Sequence, residues 1–336
     1  MRVAMLAPIA WSTPPAAYGP WEQVTSHLTE GLVKRGIDVT LFATATSRTA
    51  GKLVATTAAG YAEQEGQDAK VLEYLHISQV MGVANTFDIV HNQFDFMPLG
   101  YTPLLDTPMV TTIHGFSSDH IVPVYERYND TTDYVSISDA DRDERLDYIA
   151  TVYNGVDTDQ FTFNDQPGDY LLYFGRIHPE KGTAEAIAIA RRAKKPLWIA
   201  GLIQDHDYYR DQVEPHIDGE QVRYLGNVGP RERDRILGNA YALLHPINFE
   251  EPFGLSVAES MVTGTPVIAF RRGSMPELIE DGKTGYLTDS VEGAVDLVSA
   301  CGDLNRWEIA EVATDRFSVD RMVDSYIDVY QRILSR

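Results

Sequence analysis

The stretch Glu251-Pro-Phe-Gly-Leu-Ser-Val-Ala-Glu259 sets two carboxylates eight positions apart around a Phe-Gly step. Upstream, Tyr241-Ala-Leu-Leu-His-Pro246 reads as a buried strand running into a loop. Downstream, Leu255, Glu259, Met261 and Val262 fit a short helix that ends near Gly264. A helix start offers unbonded N–H groups and a partial positive charge, which suit phosphate or hydroxyl oxygens of a ligand. Ionised carboxylates at the same place accept hydrogen bonds from polyol hydroxyls. The plainer alternative is that both acids only complement the helix dipole.

Working outward, the same strand–loop–helix unit recurs. Arg2 to Pro8 predicts a strand, Trp21 to Arg35 an amphipathic helix with Val24, Leu28 and Leu32 on one face, and Asp38 to Ala43 a second strand. Further strands are expected at Phe87–His91, Met109–His114, Tyr134–Ser138 and Tyr148–Tyr153, and residues 44–70 as a surface excursion. Phe163-Asn-Asp-Gln-Pro-Gly-Asp169 is polar and carries Pro-Gly, which marks a boundary between domains 1–163 and 168–316. The alternation then restarts with strands at Tyr170–Gly175, Pro196–Gly201, Val222–Gly226, Ala242–His245 and Pro266–Phe270, and a helix at Thr183–Ala193. Such alternation indicates α/β architecture with two doubly wound parallel sheets, whose ligands bind beyond the carboxyl ends of the strands. Residues from about 317 to 336, with Met322, Tyr326, Val329 and Tyr330, form an amphipathic helix.

Composition narrows the partners. With 49 acidic against 28 basic residues the net charge is −21, which argues against nucleic acid and anionic membrane surfaces. The single Cys301 excludes an internal disulfide and fits a reducing, cytoplasmic setting. The apolar run Val3 to Ala10 is too short to span a bilayer and reads as a buried strand, so no integral membrane segment is expected. In so acidic a chain, a diphosphate needs locally placed cations, and Arg176 and Lys181 lie between a strand and a helix.

The segment Glu251–Glu259 resembles the E-x7-E signature of the retaining glycosyltransferases of family 4, which have the GT-B fold. Counting eight on from Glu250 lands on Ala258, so Glu251 is the first acid. Other matches come in order: Gly19-Pro20, Thr112-Ile-His114-Gly115, Asn154-Gly-Val-Asp157, Gly175-Arg-Ile-His-Pro-Glu-Lys-Gly182, Leu225-Gly-Asn227 and Gly273-Ser-Met-Pro-Glu277. The resemblance covers nearly the whole chain. It implies two Rossmann-like domains facing a cleft, the C-terminal helix packing back on the first, and transfer of a hexosyl unit from a nucleotide-diphospho-sugar to an acceptor.

Residue by residue, the resemblance implies that Arg176 and Lys181 stabilise the charge growing on the diphosphate. It puts His114 beside the donor sugar, Glu251 on the sugar hydroxyls and Glu259 on the ribose diol. The Gly19 amide and those of Phe253, Gly254 and Leu255 would meet sugar and phosphate oxygens, and backbone near Gly226 and Val228 would read the base. Relatives often carry Gly-Gly where this chain has Gly19-Pro20, and proline removes one donor. The resemblance also implies front-face substitution without a glycosyl-enzyme, so Glu251 is not taken as a nucleophile.

Three Asp-x-Asp triplets, at Asp141, Asp157 and Asp205, are expected by chance in so acidic a chain, and no metal or other cofactor is assigned. Trp21, His91 and Asp95 are candidate walls for a small-molecule or saccharide acceptor, since aromatic faces suit sugar rings. A GT-B phosphorylase using inorganic phosphate, or a nucleotide-sugar-binding protein without turnover, remains an alternative. The base, the sugar, the acceptor and the oligomeric state are left open.

Overall fold

The computed structural model describes residues 1–16, 18–116 and 118–336, which divide into two compact units. The first comprises Met1–Gly155 with Val319–Arg336, the second Val156–Ser318. The first crossing thus precedes the 163–168 boundary read from Pro167-Gly168. Residues 156–168 are stitched into the second unit by Val156 N–H to Phe317 O at 2.7 Å, Asn164 N–H to Thr263 O at 3.1 Å and Gly168 N–H to Asn239 O at 2.8 Å.

The first unit holds seven strands: β1 (Arg2–Leu6), β2 (Asp38–Ala43), β3 (Lys52–Ala55), β4 (Ile89–Asn92), β5 (Met109–Ile113), β6 (Asp133–Ser136) and β7 (Tyr148–Thr151). They pair in parallel in the order β3-β2-β1-β4-β5-β6-β7. Val3, Ala4, Met5 and Leu6 are all fully buried, because a central parallel strand is covered on both faces; β1 therefore reads as a continuous apolar run. The excursion expected over 44–70 instead contributes β3. Its half-exposed Lys-Leu-Val-Ala lies at the sheet edge, where one covered face weakens the apolar signal.

Two helices of this unit pack on each other. The Pro20–Lys34 helix buries Val24, Leu28 and Leu32, and the Val319–Leu334 helix buries Met322, Val323, Tyr326, Val329, Tyr330 and Ile333. Gly31 permits the approach: a Cβ there would stand 2.3 Å from Val323 Cγ2. The C-terminal helix begins at Val319, after Ser318 ends the preceding Arg306–Phe317 helix.

The second unit holds β8 (Leu171–Phe174), β9 (Leu197–Ala200), β10 (Val222–Tyr224), β11 (Ala242–His245), β12 (Val267–Phe270) and β13 (Gly285–Thr288). The order is β10-β9-β8-β11-β12-β13, again parallel. In each sheet the strand order reverses once, between β1 and β4 and between β8 and β11. At such a switch point adjacent loops leave the carboxyl ends in opposite directions and open a crevice for a ligand. Among the described residues no helix is long and apolar enough to cross a membrane.

Candidate functional site

The loops after β8 and β11 meet at the switch point of the second unit. After β8 the chain passes Arg176 and a short turn, Pro179–Lys181, before Gly182 at φ 74° starts the Thr183–Ala193 helix. A Cβ on Gly182 would sit 1.8 Å from Pro246 O, so only glycine lets this loop close on the one after β11. Asn248 N–H donates to Glu180 O at 2.7 Å across the same gap. The result is an ion pair between residues 70 positions apart: Lys181 Nζ reaches Glu251 Oε2 at 2.6 Å, with side-chain exposures of 15% and 11%. Lys181 also lies 4.3 Å from the Phe249 ring centroid.

His245, the last residue of β11, puts Nε2 at 3.6 Å from the same Glu251 oxygen, an electrostatic neighbour beyond hydrogen-bonding distance. Burial alone would raise the Glu251 carboxyl, but His245 and Lys181 outweigh it and hold it down at about 2. Held down in this way, Glu251 is a carboxylate near neutral pH, able to accept hydrogen bonds.

The segment Gly273–Glu277 braces this loop. Gly273, at φ 52°, lies against the Glu251 backbone, Ser274 N–H donates to Glu251 O at 2.9 Å, and Ser274 Oγ donates to Phe253 O at 2.7 Å. Gly254, at φ 89°, opens the Leu255–Val262 helix without a side-chain cap, so its positive end is available to an anion. Phe253 is buried, edge-on to Phe317 at 5.9 Å. Glu259, only 3% exposed, faces Arg233 Nη1 at 3.2 Å from the Pro230–Gly238 helix. Burial raises the Glu259 carboxyl and Arg233 pulls it part of the way back.

Arg176 donates to Gln204 Oε1, and its own carbonyl accepts from the Tyr173 hydroxyl at 2.8 Å. Gly226, at φ 80°, follows β10 and accepts from Gly201 N–H at 2.9 Å; Val228 beyond it is half-buried. The strand-end loops carrying Arg176, Gly226 and Glu251 therefore share one end of this sheet.

In the first unit, His114 follows β5 and stacks on Trp21, with centroids 5.4 Å apart and planes 24° from parallel. Burial lowers its imidazole to about 3, so it is neutral. Gly19, at φ 150°, opens the helix that carries Trp21, and a Cβ there would meet Pro15 at 2.8 Å. Asp95 accepts from the Tyr125 hydroxyl, its carboxyl raised by burial. His91 is a correction: it is fully buried with both ring nitrogens engaged, so it belongs to the interior of the unit and walls no acceptor surface.

Beside Gly19, buried Glu22 accepts from Trp11 N–H at 3.1 Å, and burial, with Glu63 adding to it, pushes its carboxyl up to about 7. A carboxyl raised above its unfolded value of 4.5 favours folding fully below that pH and loses the advantage as pH climbs through 7. Glu22→Gln keeps an acceptor for Trp11 and should stabilise the protein by about 2–3 kcal/mol at pH 8 and hardly at all at pH 4. Urea unfolding at the two pH values measures this, and an equal effect at both would show an ordinary carboxyl.

The Asp-x-Asp triplets serve local structure. Asp143 pairs with Arg145, Asp157 caps a turn through Asp159 N–H, and Asp205 caps a helix through Tyr208 N–H. Among the described residues no group of three or more His, Cys, Asp or Glu is arranged to hold a metal. Sequence reasoning missed His245 and Arg233. A histidine closing the buried run Ala-Leu-Leu was a signal for the first, whereas Arg233 is one of several arginines on its helix.

Two Rossmann-like parallel-sheet units define the GT-B class of fold. It is shared over the full chain by AviGT4, a glycosyltransferase involved in avilamycin A biosynthesis, with a TM-score of 0.75 and 23% identity over 100% of this chain and 98% of that one. It is shared too by Anabaena HepE, solved in complex with UDP-glucose, with a TM-score of 0.73 and 16% identity over 99% and 100% of the two chains. Residues 21–160 match the Glycosyltransferase Family 4 model and residues 157–300 that of Glycosyl transferases group 1; the chain belongs to the family 4 glycosyltransferases. A curated relative, the glycogen synthase of Mycobacterium tuberculosis, is 29% identical over 210 residues, 54% of this chain and 50% of that protein. The chain spans about half the length of such curated relatives.

Proposed function

We propose that the protein is a retaining glycosyltransferase that moves a hexosyl unit from a nucleotide-diphospho-sugar to a small-molecule or saccharide acceptor, without a metal. The observation that carries this reading is the desolvated, ionised Glu251 pinned by Lys181 at the switch point, beside the open start of the helix that bears Glu259. An acceptor-only carboxylate suits sugar hydroxyls, and a second carboxylate on the same helix suits a ribose diol. In this reading the second unit grips the donor. The bond from the anomeric carbon to phosphate oxygen breaks, and the diphosphate leaves with the electron pair. The acceptor hydroxyl attacks from the same face and passes its proton to the departing phosphate. Arg176 and Lys181 stabilise the growing charge by position and electrostatics. The lone buried Cys301 suits a reducing compartment such as the cytoplasm.

The UDP-glucose in the HepE structure makes a uridine donor the first to test. A thermal-shift series with UDP, GDP and ADP, each with EDTA and with Mg²⁺, should give a rise with one nucleotide that EDTA does not diminish. No rise with any of them would overturn the nucleotide-sugar reading. Arg176→Ala should slow transfer by roughly 2–4 kcal/mol in activation free energy, as when a charge-stabilising donor is lost; turnover near that of the wild type would remove Arg176 from the phosphate site.

A further inference from the structure

Behind His114 runs a buried polar chain that the reading above does not use. His114 Nε2 meets Gln93 Oε1 at 2.5 Å, and Gln93 Nε2 meets His91 Nε2 at 2.9 Å. His91 Nε2 also faces the Thr112 hydroxyl at 2.8 Å, and His91 Nδ1 faces Tyr330 Oη at 2.6 Å. The Tyr326 hydroxyl closes on Thr112 Oγ1 at 2.7 Å. Gln93, His91 and Tyr330 are fully buried, and Thr112 and Tyr326 are 1% exposed. Tyr326 and Tyr330 come from the C-terminal helix, and the rest from β4, β5 and the residues just after them.

With the Gln93 oxygen toward His114 and its nitrogen toward His91, the protons along this chain follow; the reversed amide would require the opposite tautomers. A carboxamide oxygen only accepts and its nitrogen only donates. Gln93 Oε1 therefore requires a proton on His114 Nε2. The Gln93 N–H requires a lone pair on His91 Nε2, so the His91 proton sits on Nδ1 and donates to Tyr330 Oη. Both imidazoles are neutral, lowered to about 3 by burial, so each has a single tautomer to assign. His114 Nδ1 is left as a lone pair, and among the described residues nothing donates to it.

We propose that Gln93 is a positioning residue that fixes His114 as its Nε2–H tautomer and leaves Nδ1 to accept from a ligand hydroxyl, with His91 and Tyr330 holding Gln93 in that orientation. That a ligand hydroxyl comes to this atom rests on the proposed function; the tautomer does not.

The test is nitrogen NMR of ligand-free, 15N-histidine-labelled full-length protein at pH 7, with His114 assigned by its loss in His114→Asn. The expected pattern is a protonated Nε2 and an unprotonated Nδ1 on His114, and the reverse on His91. A protonated Nδ1 on His114 would overturn the proposal. Gln93→Leu, which offers His114 no acceptor, should leave a mixture of Nε2–H and Nδ1–H tautomers on His114. His114 still purely Nε2–H in a folded Gln93→Leu variant would overturn the positioning role, and where that variant does not fold, the wild-type pattern still decides. These readouts need no nucleotide, so failure of the donor reading would show separately, as absent binding with the tautomers intact.

Discussion

Lys181→Ala should lower stability by about 3 kcal/mol at pH 7 and abolish most transfer. The ion pair it breaks is largely desolvated, with 15% and 11% side-chain exposure at 2.6 Å. Removing one partner of such a pair leaves a charge that water cannot reach, which typically costs about 3–5 kcal/mol. His245 at 3.6 Å offsets part of the loss, which sets the expectation at the lower end of that range. The pH dependence identifies the source. Glu251 is depressed from 4.5 to about 2, so its contribution is present above the unfolded value and lost as pH falls toward 2. The gap between wild type and variant should therefore narrow between pH 4.5 and 2. A double variant, Lys181→Met with Glu251→Gln, removes both charges together and should recover much of the stability while transfer stays lost. Urea unfolding at pH 7 and pH 3 beside a turnover assay makes the comparison. A single variant as stable as the wild type at pH 7 would show that the pair is solvated, and turnover near normal would remove Lys181 from the donor site.

How much of this was legible in the sequence follows from burial. β1, β8, β11 and β12 lie inside parallel sheets, covered on both faces, and their apolar runs are continuous save for an end residue. β3 and β13 are edge strands with alternating or partial burial and four residues each, too short for a period-two pattern to stand out. The two acids of the Glu251–Glu259 segment could be read because their spacing is local. What Glu251 and Glu259 touch could not. Lys181 and His245 reach Glu251 because β8 lies beside β11, a neighbour relation set by sheet order and not by sequence distance. His91 shows the converse: an aromatic, polar side chain at a strand end suggested a ligand wall, and burial turned it into an interior hydrogen-bonding hub.

Arg233→Ala should cost more at pH 8 than at pH 5, because its partner is a carboxylate that burial already disfavours. Glu259 and Arg233 are 4% and 11% exposed in their side chains, so the pair belongs to the desolvated class and its rupture is worth about 3–5 kcal/mol while Glu259 stays ionised. Protonation offers an escape. A carboxyl raised above its unfolded value contributes stability below that value and loses it as pH rises through the folded one. Without the arginine the folded value climbs further, so the deficit grows with pH. Nucleotide binding then separates the ribose role from the structural one. Glu259→Gln preserves shape but gives up charge-assisted hydrogen bonds worth about 1.5–3 kcal/mol, or roughly a 10- to 100-fold weaker Kd, with the chemical step little changed. In Arg233→Ala, nucleotide affinity should rise with pH as Glu259 ionises, a trend opposite in sign to the variant's stability. Titration calorimetry across pH 5 to 8 reads both. Glu259→Gln binding nucleotide as tightly as wild type would remove Glu259 from the ribose and leave it a buried brace for the helix packed against it.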